Sequence, residues 1–448
     1  MTNRTTPHVV IVGGGFGGLA AARALKNAPV RVTLIDRSNH YLFQPLLYQV
    51  ATATLAEGDI ASPIRYLLRG QSNVTVAMAE VTGLDAARGC VLGDYLGRPN
   101  TPFAYDYLVL ATGASHSYFG HDEFAAFAPG IKSLADAESV RAKVLKAFET
   151  AEIEEDPAKH QDLLTFVLVG GGPTGVEMAG ALAELRRFTL QSDFRRINPR
   201  QARIILAEAA PRILANFPED LSRKARVRLE SVGVEVRTGQ PVTAIDAESV
   251  VIGTERIACR TVIWTAGVTP SPAGRWLGAP TDKAGRVRVN PDCSVPNHPN
   301  VFVVGDTASL DQDGRTLPGV AQVAMQQGRF VGRSIANRVA GRPAPAAFRY
   351  FDKGNMAVIG RGFAILDSRF LKISGFTAWL AWAFVHMLFL PAFGNRLRVW
   401  IQLMWSYVTR QRSSRLIVEP RSAAAPAPAP LASQSTGRAR VYERAHPH

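Results

Sequence analysis

Two stretches decide how this chain is read: HVVIVGGGFGGLAAARAL at residues 8–25 and TFVLVGGGPTGVEMAGAL at residues 165–182. Each opens on an apolar, β-branched run, Val9 to Val12 and Phe166 to Val169. A run with no polar alternation suits a strand buried on both faces of a parallel sheet. Each run then turns through glycines into an alanine-rich segment that reads as a helix. Gly13, Gly15 and Gly18 fit GxGxxG, and Gly170, Gly172 and Gly175 repeat it. The first glycine permits a tight turn, the second lets backbone approach a pyrophosphate, and the third allows close helix packing. The helix N-terminus then offers unpaired N–H groups to phosphate.

A second strand follows each helix and ends in an acid, VRVTLID at Asp36 and ARIILAE at Glu208. A carboxylate there accepts a ribose hydroxyl. Glu208 would repel a 2′-phosphate, so the second site is read as taking NADH rather than NADPH. Arg212, four residues on, argues the other way. The bland readings are a structural glycine turn and an exposed strand-end acid.

Further strands fall at YDYLVLATG, TVIWTAGV and NVFVVGD. Strands alternating with helices predict an α/β chain with two Rossmann-like dinucleotide-binding domains, the first of them discontinuous. The expected division is residues 6–125 with 285–342, then 126–284, a C-terminal region over 343–419, and a tail over 420–448. AEIEEDPAKHQD reads as a solvated connection, and GRPAPAAF after Ala340 as a boundary. The tail, rich in Ala and Pro, reads as disordered.

The totals agree with several domains: 448 residues, 47% hydrophobic and 20% charged. The excess of 51 basic over 37 acidic residues gives +14, which suits anionic lipid, nucleic acid or an anionic cofactor without choosing among them. Cys90, Cys259 and Cys293 are far apart. No redox dithiol, zinc ribbon or secreted disulfide framework is expected, and no metal site. The opening MTNRTTPHVV lacks the features of a signal peptide.

Two dinucleotide turns in one chain suggest one held cofactor and one that exchanges. A flavin and a nicotinamide are the usual pairing, because hydride can pass between them. The strand ending at Gly305-Asp306 would put a carboxylate near the flavin's ribityl chain.

The C-terminal region departs from this pattern. Residues 376–393 form an apolar run interrupted by Pro391 and followed by Gly394. Wholly helical, 18 residues span about 27 Å, short of a hydrocarbon core. Beyond it, Leu397, Ile401, Met404, Trp405 and Val408 follow helical spacing, with Asn395, Arg398, Gln402, Ser406 and Thr409 on other faces. Arg396, Arg398, Arg410, Arg412 and Arg415 are candidate headgroup cations, and Trp379, Trp382, Trp400 and Trp405 candidate interfacial aromatics. The expectation is an amphipathic, membrane-binding pair of helices; docking to a partner is the alternative. His386 reads as a core or interfacial histidine.

From about His8 to Ile417 the chain resembles the type II NADH:quinone oxidoreductases, non-proton-pumping enzymes among the flavoproteins with two dinucleotide-binding domains. The matching pieces are SNHYLFQPLLYQVATATL, EAAPRIL, WTAGVTPSP, LPGVAQVAMQQG and FDKGNMAVIGR. The resemblance implies non-covalent FAD held by Gly13, Gly15, Gly17, Gly18, Asp36, Arg37 and Asp306, with Val81 near the adenine. It places Pro45 and Leu46 by the flavin ring, Ala111, Thr112 and Gly113 along the cofactor, and the backbones of Ala321 and Gln322 beside it. NADH would lie over Gly170, Gly172 and Gly175 with Glu177, Glu208, Ala266 and Gly267. Glu177 would orient the carboxamide or relay protons. Gln322 and Gln326, four apart on one helix face, would meet the quinone. Lys353 would stabilise negative charge on the flavin. The implied partners are a membrane quinone, the bilayer surface on the cytoplasmic face, and a second copy of the chain in a homodimer, with no nucleic acid. A sulfide:quinone or ferredoxin reductase of the same architecture and an NADH-responsive, flavin-binding signalling or scaffold protein are the competing readings.

Overall fold

The computed structural model describes residues 6–409, 412 and 414–418. Arg410 and the segment read as a disordered tail, 420–448, lie outside the described residues. Residues up to Ile417 form one compact unit.

The strand His8–Val12 sits at the centre of an eight-stranded sheet. Arg31–Asp36 and Tyr107–Leu110 flank it in parallel, with Val10 opposite both Thr33 and Leu108. Val9, Val10 and Ile11 are completely buried, which explains the absence of polar alternation. Beyond Tyr107–Leu110, Val301 to Val303 join the same sheet in parallel. A strand some 190 positions downstream thus completes the sheet that the first glycine turn began. On the other side Val74–Asp85 pairs in parallel over its first half, then turns antiparallel to Cys90–Tyr95.

The strand Thr165–Val169, buried throughout, lies in a second, four-stranded parallel sheet between Arg203–Glu208 and Thr261–Trp264. Two extended connections run side by side between the sheets, with Ala114–His116 antiparallel to Val268–Pro270. These are the continuations of YDYLVLATG and TVIWTAGV. The acidic connection is more ordered than its composition suggests. A 20-residue helix, Leu134–Ile153, runs into it, and Asp156 caps a short helix, Pro157–Leu163. The long helix buries Val140, Val144 and Phe148 at helical spacing, a pattern masked by its charged outer face.

The helix Ala321–Val339 crosses the first glycine-turn helix, Phe16–Ala24, at very short range. A Cβ on Gly328 would sit 2.0 Å from the carbonyl oxygen of Gly17, and one on Gly332 would sit 2.7 Å from that of Ala21. Small residues on both helices make this crossing possible.

A three-stranded antiparallel sheet, Asn355–Val358, Ala364–Asp367 and Lys372–Gly375, leads into two helices, Phe376–Phe389 and Phe393–Thr409. The first ends at Phe389, because Pro391 cannot continue it. Among the described residues no helix is long and apolar enough to cross a membrane.

Candidate functional site

The first glycine turn is tied to its acid by backbone. Gly13 takes φ +100° and donates its N–H to Ile35 O at 2.7 Å. A Cβ at Gly13 would lie 2.2 Å from the Ala111 carbonyl oxygen, so no larger residue fits. Asp36 accepts from Gly14 N at 2.6 Å through one carboxylate oxygen and from Ser38 N at 2.7 Å through the other. Gly15 faces open space. A Cβ on Gly18 would lie 1.8 Å from Gly13 O, so Gly18 packs helix against turn instead of facing a ligand. Gly17 combines packing against Val304 with a place on the wall of the cleft.

The second turn repeats this geometry. Gly170 takes φ +112° and donates to Ala207 O at 2.8 Å. Glu208 accepts from Gly171 N at 2.6 Å and from Ala210 N at 2.7 Å. Gly172 faces open space, and a Cβ on Gly175 would lie 1.9 Å from Gly170 O. Ala266 closes over Gly170, where a Cβ would meet it at 2.8 Å, and Gly267 takes φ +68° against Phe119. Arg212 donates to Phe217 O at 2.7 Å and Ala215 O at 2.6 Å, so its guanidinium is engaged by its own loop.

A cleft of about 660 Å³ opens over the first turn. That volume lies within the range of cofactor sites. Of the residues expected along FAD, Asp36, Arg37, Val81, Ala111, Thr112, Gly113, Asp306 and Ala321 line it, with Gly13, Gly15 and Gly17. The glycine cradle, its open face at Gly15 and the acid at the strand end fit a dinucleotide such as FAD. Pro45 and Leu46 do not line the cleft. Leu46 is wholly buried in the core, while Gln44, from the same turn, reaches the wall. Thr112 and Thr307 hydroxyls lie 3.1 Å apart, and Thr307 donates to Gly113 O at 3.0 Å, which fixes the cleft's floor.

Gln327, next to Gln326 in the sequence, points inward. It is buried and its side-chain oxygen accepts from Gly305 N at 2.7 Å, holding the turn that carries Asp306. Its spacing of four from Val323 and from Val331 on the packed helix face was the available signal. Gln322 donates to Gly354 O at 3.0 Å, while its buried oxygen has no partner among the described residues. Gln326 is fully engaged: it donates to Phe351 O at 2.9 Å and accepts from Phe351 N at 3.0 Å. The pair expected to face one ligand is therefore fastened to one short segment, residues 351–354, just before the strand Asn355–Val358, with a single free acceptor between them. Lys353, expected beside the flavin, is exposed, with its ammonium 5.5 Å from the centre of the Phe389 ring.

Glu177 lies in the helix Pro173–Glu184 and accepts from Val358 N at 3.3 Å. Burial pushes its carboxyl up to about 8, against the pull of that N–H. No cation is within ion-pair distance of it among the described residues, so it is protonated at neutral pH.

Both C-terminal helices turn apolar side chains outward; the first is apolar on its inner face as well, and the second is amphipathic. Phe376, Leu380, Phe384 and Leu388 form an exposed stripe at every fourth position. Leu397, Trp400, Ile401, Trp405 and Val408 continue it on the next helix. The polar face turns inward: Asn395 donates to Gly58 O at 3.1 Å and Gln402 to Thr54 O at 3.0 Å. Two expectations change. Trp379 and Trp382 are buried and do not meet solvent. Arg412 and Arg415 pair with Glu184 and Asp193 and are not headgroup cations. His386 is neutral, because burial lowers it to about 4, and its ring N–H donates to Trp382 O at 2.8 Å.

All three cysteines are buried and unpaired. Burial pushes the Cys259 thiol up to about 12, which disfavours its thiolate. No metal-binding cluster occurs among the described residues.

Comparison with known proteins follows the same outline. Residues 7–328 match the pyridine nucleotide-disulphide oxidoreductase family. The chain is 45% identical to the type II NADH:quinone oxidoreductase Ndh of Mycobacterium tuberculosis over 92% of its own length and 90% of that protein's. It is 32% identical to the demethylphylloquinone reductase NdbB of Synechocystis, over 92% and 98%. Among solved structures, Plasmodium falciparum NDH2 in complex with NADH superposes with a TM-score of 0.84 at 18% identity, over 93% of this chain and all of that one.

Proposed function

The chain belongs to the type II NADH:quinone oxidoreductases of the pyridine nucleotide-disulphide oxidoreductase family, and from that premise we propose how its residues divide the work. It is an FAD-dependent enzyme that oxidises NADH and reduces a quinone without pumping protons. FAD, when bound, supplies the carrier between the two substrates. The observation that supports the assignment of sites is the repeated tie between glycine turn and acid, Gly14 to Asp36 and Gly171 to Glu208.

FAD is assigned to the discontinuous domain, residues 6–125 with 285–342. Asp36 takes the adenosine ribose, and the N-terminus of Phe16–Ala24 takes the pyrophosphate over Gly13 and Gly15. Ala111 to Gly113, Asp306 and Ala321 position the rest. The free oxygen of Gln322 calls for a donor, such as the imide N–H of a flavin ring or the hydroxyl of a quinol. Gln326 fastens Phe351 and is not assigned to quinone.

NADH is assigned to residues 126–284, over Gly170, Gly172 and Gly175, with Ala266 and Gly267 beneath. Glu208 receives its 2′-hydroxyl. Two N–H groups of Arg212 are committed to its own loop, which leaves its guanidinium less free to turn toward a 2′-phosphate. Glu177, protonated at neutral pH, holds a proton at its carboxyl where the NADH-side helix meets the strand Asn355–Val358.

The C-terminal region, 343–419, is assigned to the bilayer surface on the cytoplasmic face. Its outward apolar stripes, with Arg369, Lys372 and Arg398 exposed nearby, suit insertion among anionic headgroups. A homodimer is the proposed assembly.

The test is a steady-state assay of detergent-purified, flavin-loaded protein with NADH, NADPH and several quinones. Quinone-dependent oxidation of NADH, with NADPH at least tenfold poorer, is expected. Flavin that NADH bleaches but no quinone reoxidises would overturn the reading.

A further inference from the structure

The loop that leaves the extended connection Ala114–His116 holds Phe119 in an unusual way. Its φ is +55°, a left-handed conformation that bulky residues rarely adopt, and Gly120 follows at +92°. The ring is 68% exposed, while its aromatic neighbours Tyr118, Phe124 and Trp264 are buried. Burial of an apolar side chain therefore does not account for the conformation. The loop is fastened beneath the ring. Trp264 Nε1 donates to Ser117 O at 2.9 Å, Tyr118 O–H to Ala128 O at 2.9 Å, and Phe119 N–H to Ser117 Oγ at 3.3 Å. Backbone strain held in place by its surroundings points to a use for the side chain.

The tip of the ring rests on Gly267. A Cβ there would lie 2.5 Å from Phe119 Cζ, so only glycine seats the ring. Gly267 follows the strand Thr261–Trp264, which flanks Thr165–Val169 on the side away from Arg203–Glu208. The strand ends therefore run in the order Glu208, the glycine turn, then Ala266 and Gly267. A dinucleotide with its adenosine ribose at Glu208 and its pyrophosphate over Gly170 and Gly172 continues in that direction. The half that reaches Gly267 is the nicotinamide riboside.

We propose that Phe119 is an affinity-determining contact for the nicotinamide half of NADH. Its ring forms an apolar wall over the riboside, excludes water from it and limits how far it swings. A rigid aromatic side chain supplies that area with little ordering of its own. Ala266 and Gly267 lack the reach to do so. The proposal deepens the NADH assignment above and rests on it.

The test uses full-length, flavin-loaded protein with Phe119→Asn and, separately, Phe119→Gly. Both replacements accept the left-handed backbone, and neither has a ring. Each should keep the parent's melting temperature, because the ring is exposed. The KM for NADH should rise roughly fivefold. The KM for menadione should stay within about twofold, and so should the Ki of ADP, which lacks the nicotinamide riboside. Without turnover, NAD+ should raise the melting temperature of the parent and raise it less in each variant. Phe119→Tyr keeps the ring and should restore both the KM and the melting shift. If both ringless variants keep the parent's KM for NADH and its full NAD+ shift, the ring is only part of the loop and the proposal falls. An equal loss of ADP affinity would also overturn it, by moving the effect to the glycine turn. If the parent neither oxidises NADH nor is stabilised by NAD+, the NADH assignment falls first.

Discussion

Glu184 and Arg412 meet at 3.2 Å, joining the NADH-side helix to the chain just beyond the last amphipathic helix. Arg412 also donates to Thr52 O at 2.8 Å, and Glu184 accepts from Arg361 N. Arg412, beyond the helix Phe393–Thr409, is thereby held against the body of the protein.

Arg412→Met strands a carboxylate in a largely dry site. Removing one partner of a buried pair costs about 3 kcal/mol. The urea midpoint should fall accordingly, and adding Glu184→Gln should recover part of the loss. Strictly additive losses would mean that the two charges are not coupled.

Glu208→Arg should shift the nucleotide preference toward NADPH. The change removes the acceptor for the 2′-hydroxyl and supplies a cation for a 2′-phosphate. The ratio of kcat/KM for NADH over NADPH should drop by at least roughly tenfold, about 1.4 kcal/mol. Absolute activity with NADH should fall as well, because Glu208 also holds Gly171 and Ala210. An unchanged ratio would remove the residue from the nucleotide site.

The raised carboxyl of Glu177 makes stability depend on pH. Folded, the group titrates near 8, against an ordinary 4.5. The folded state therefore holds the proton more tightly. Stability from this group is fully present below about 4.5 and is lost as pH rises toward 8. Glu177→Gln cannot ionise, so it should melt higher than the parent at pH 8 and match it at pH 4. Parallel melting curves across that window would contradict the burial argument.

The outward apolar stripes can be tested without disturbing the fold. Phe384→Ser with Trp405→Ser removes exposed rings, and exposed substitutions usually change stability by less than about 0.5 kcal/mol. Sedimentation with anionic vesicles should drop severalfold while the melting temperature holds. Val399→Asp, at a fully buried position on the same helix, should instead unfold the C-terminal region. Vesicle binding that survives loss of both rings would count against lipid insertion.

Much of the framework was legible because it is local. GxGxxG and the acid at the end of the next strand lie within one βαβ unit, so spacing alone carries the geometry. The return of Val301–Val303 to the first sheet was legible from a strand ending in Gly305-Asp306. Less legible was the sense of the amphipathic helices, because a stripe has the same period whether it faces core or lipid. Trp379 and Trp382 therefore read as interfacial although they face inward. Arg412 and Arg415 looked like surface cations because their partners, Glu184 and Asp193, are more than 200 positions away. Gln326 fits a ligand motif by type and spacing, and only the tertiary fold brings the Phe351 backbone to both ends of its amide.

The sheet around His8–Val12 also sets an order of events on the ribosome. Its last parallel partner, Val301–Val303, and the helix that clasps Gly17 are made only after the whole four-stranded sheet around Thr165–Val169 has been synthesised. The middle of the chain can close while both halves of its neighbour are still apart. A nascent chain from which Thr261–Trp264 has emerged and Val301–Val303 has not should thus carry a closed second sheet beside an incomplete first one.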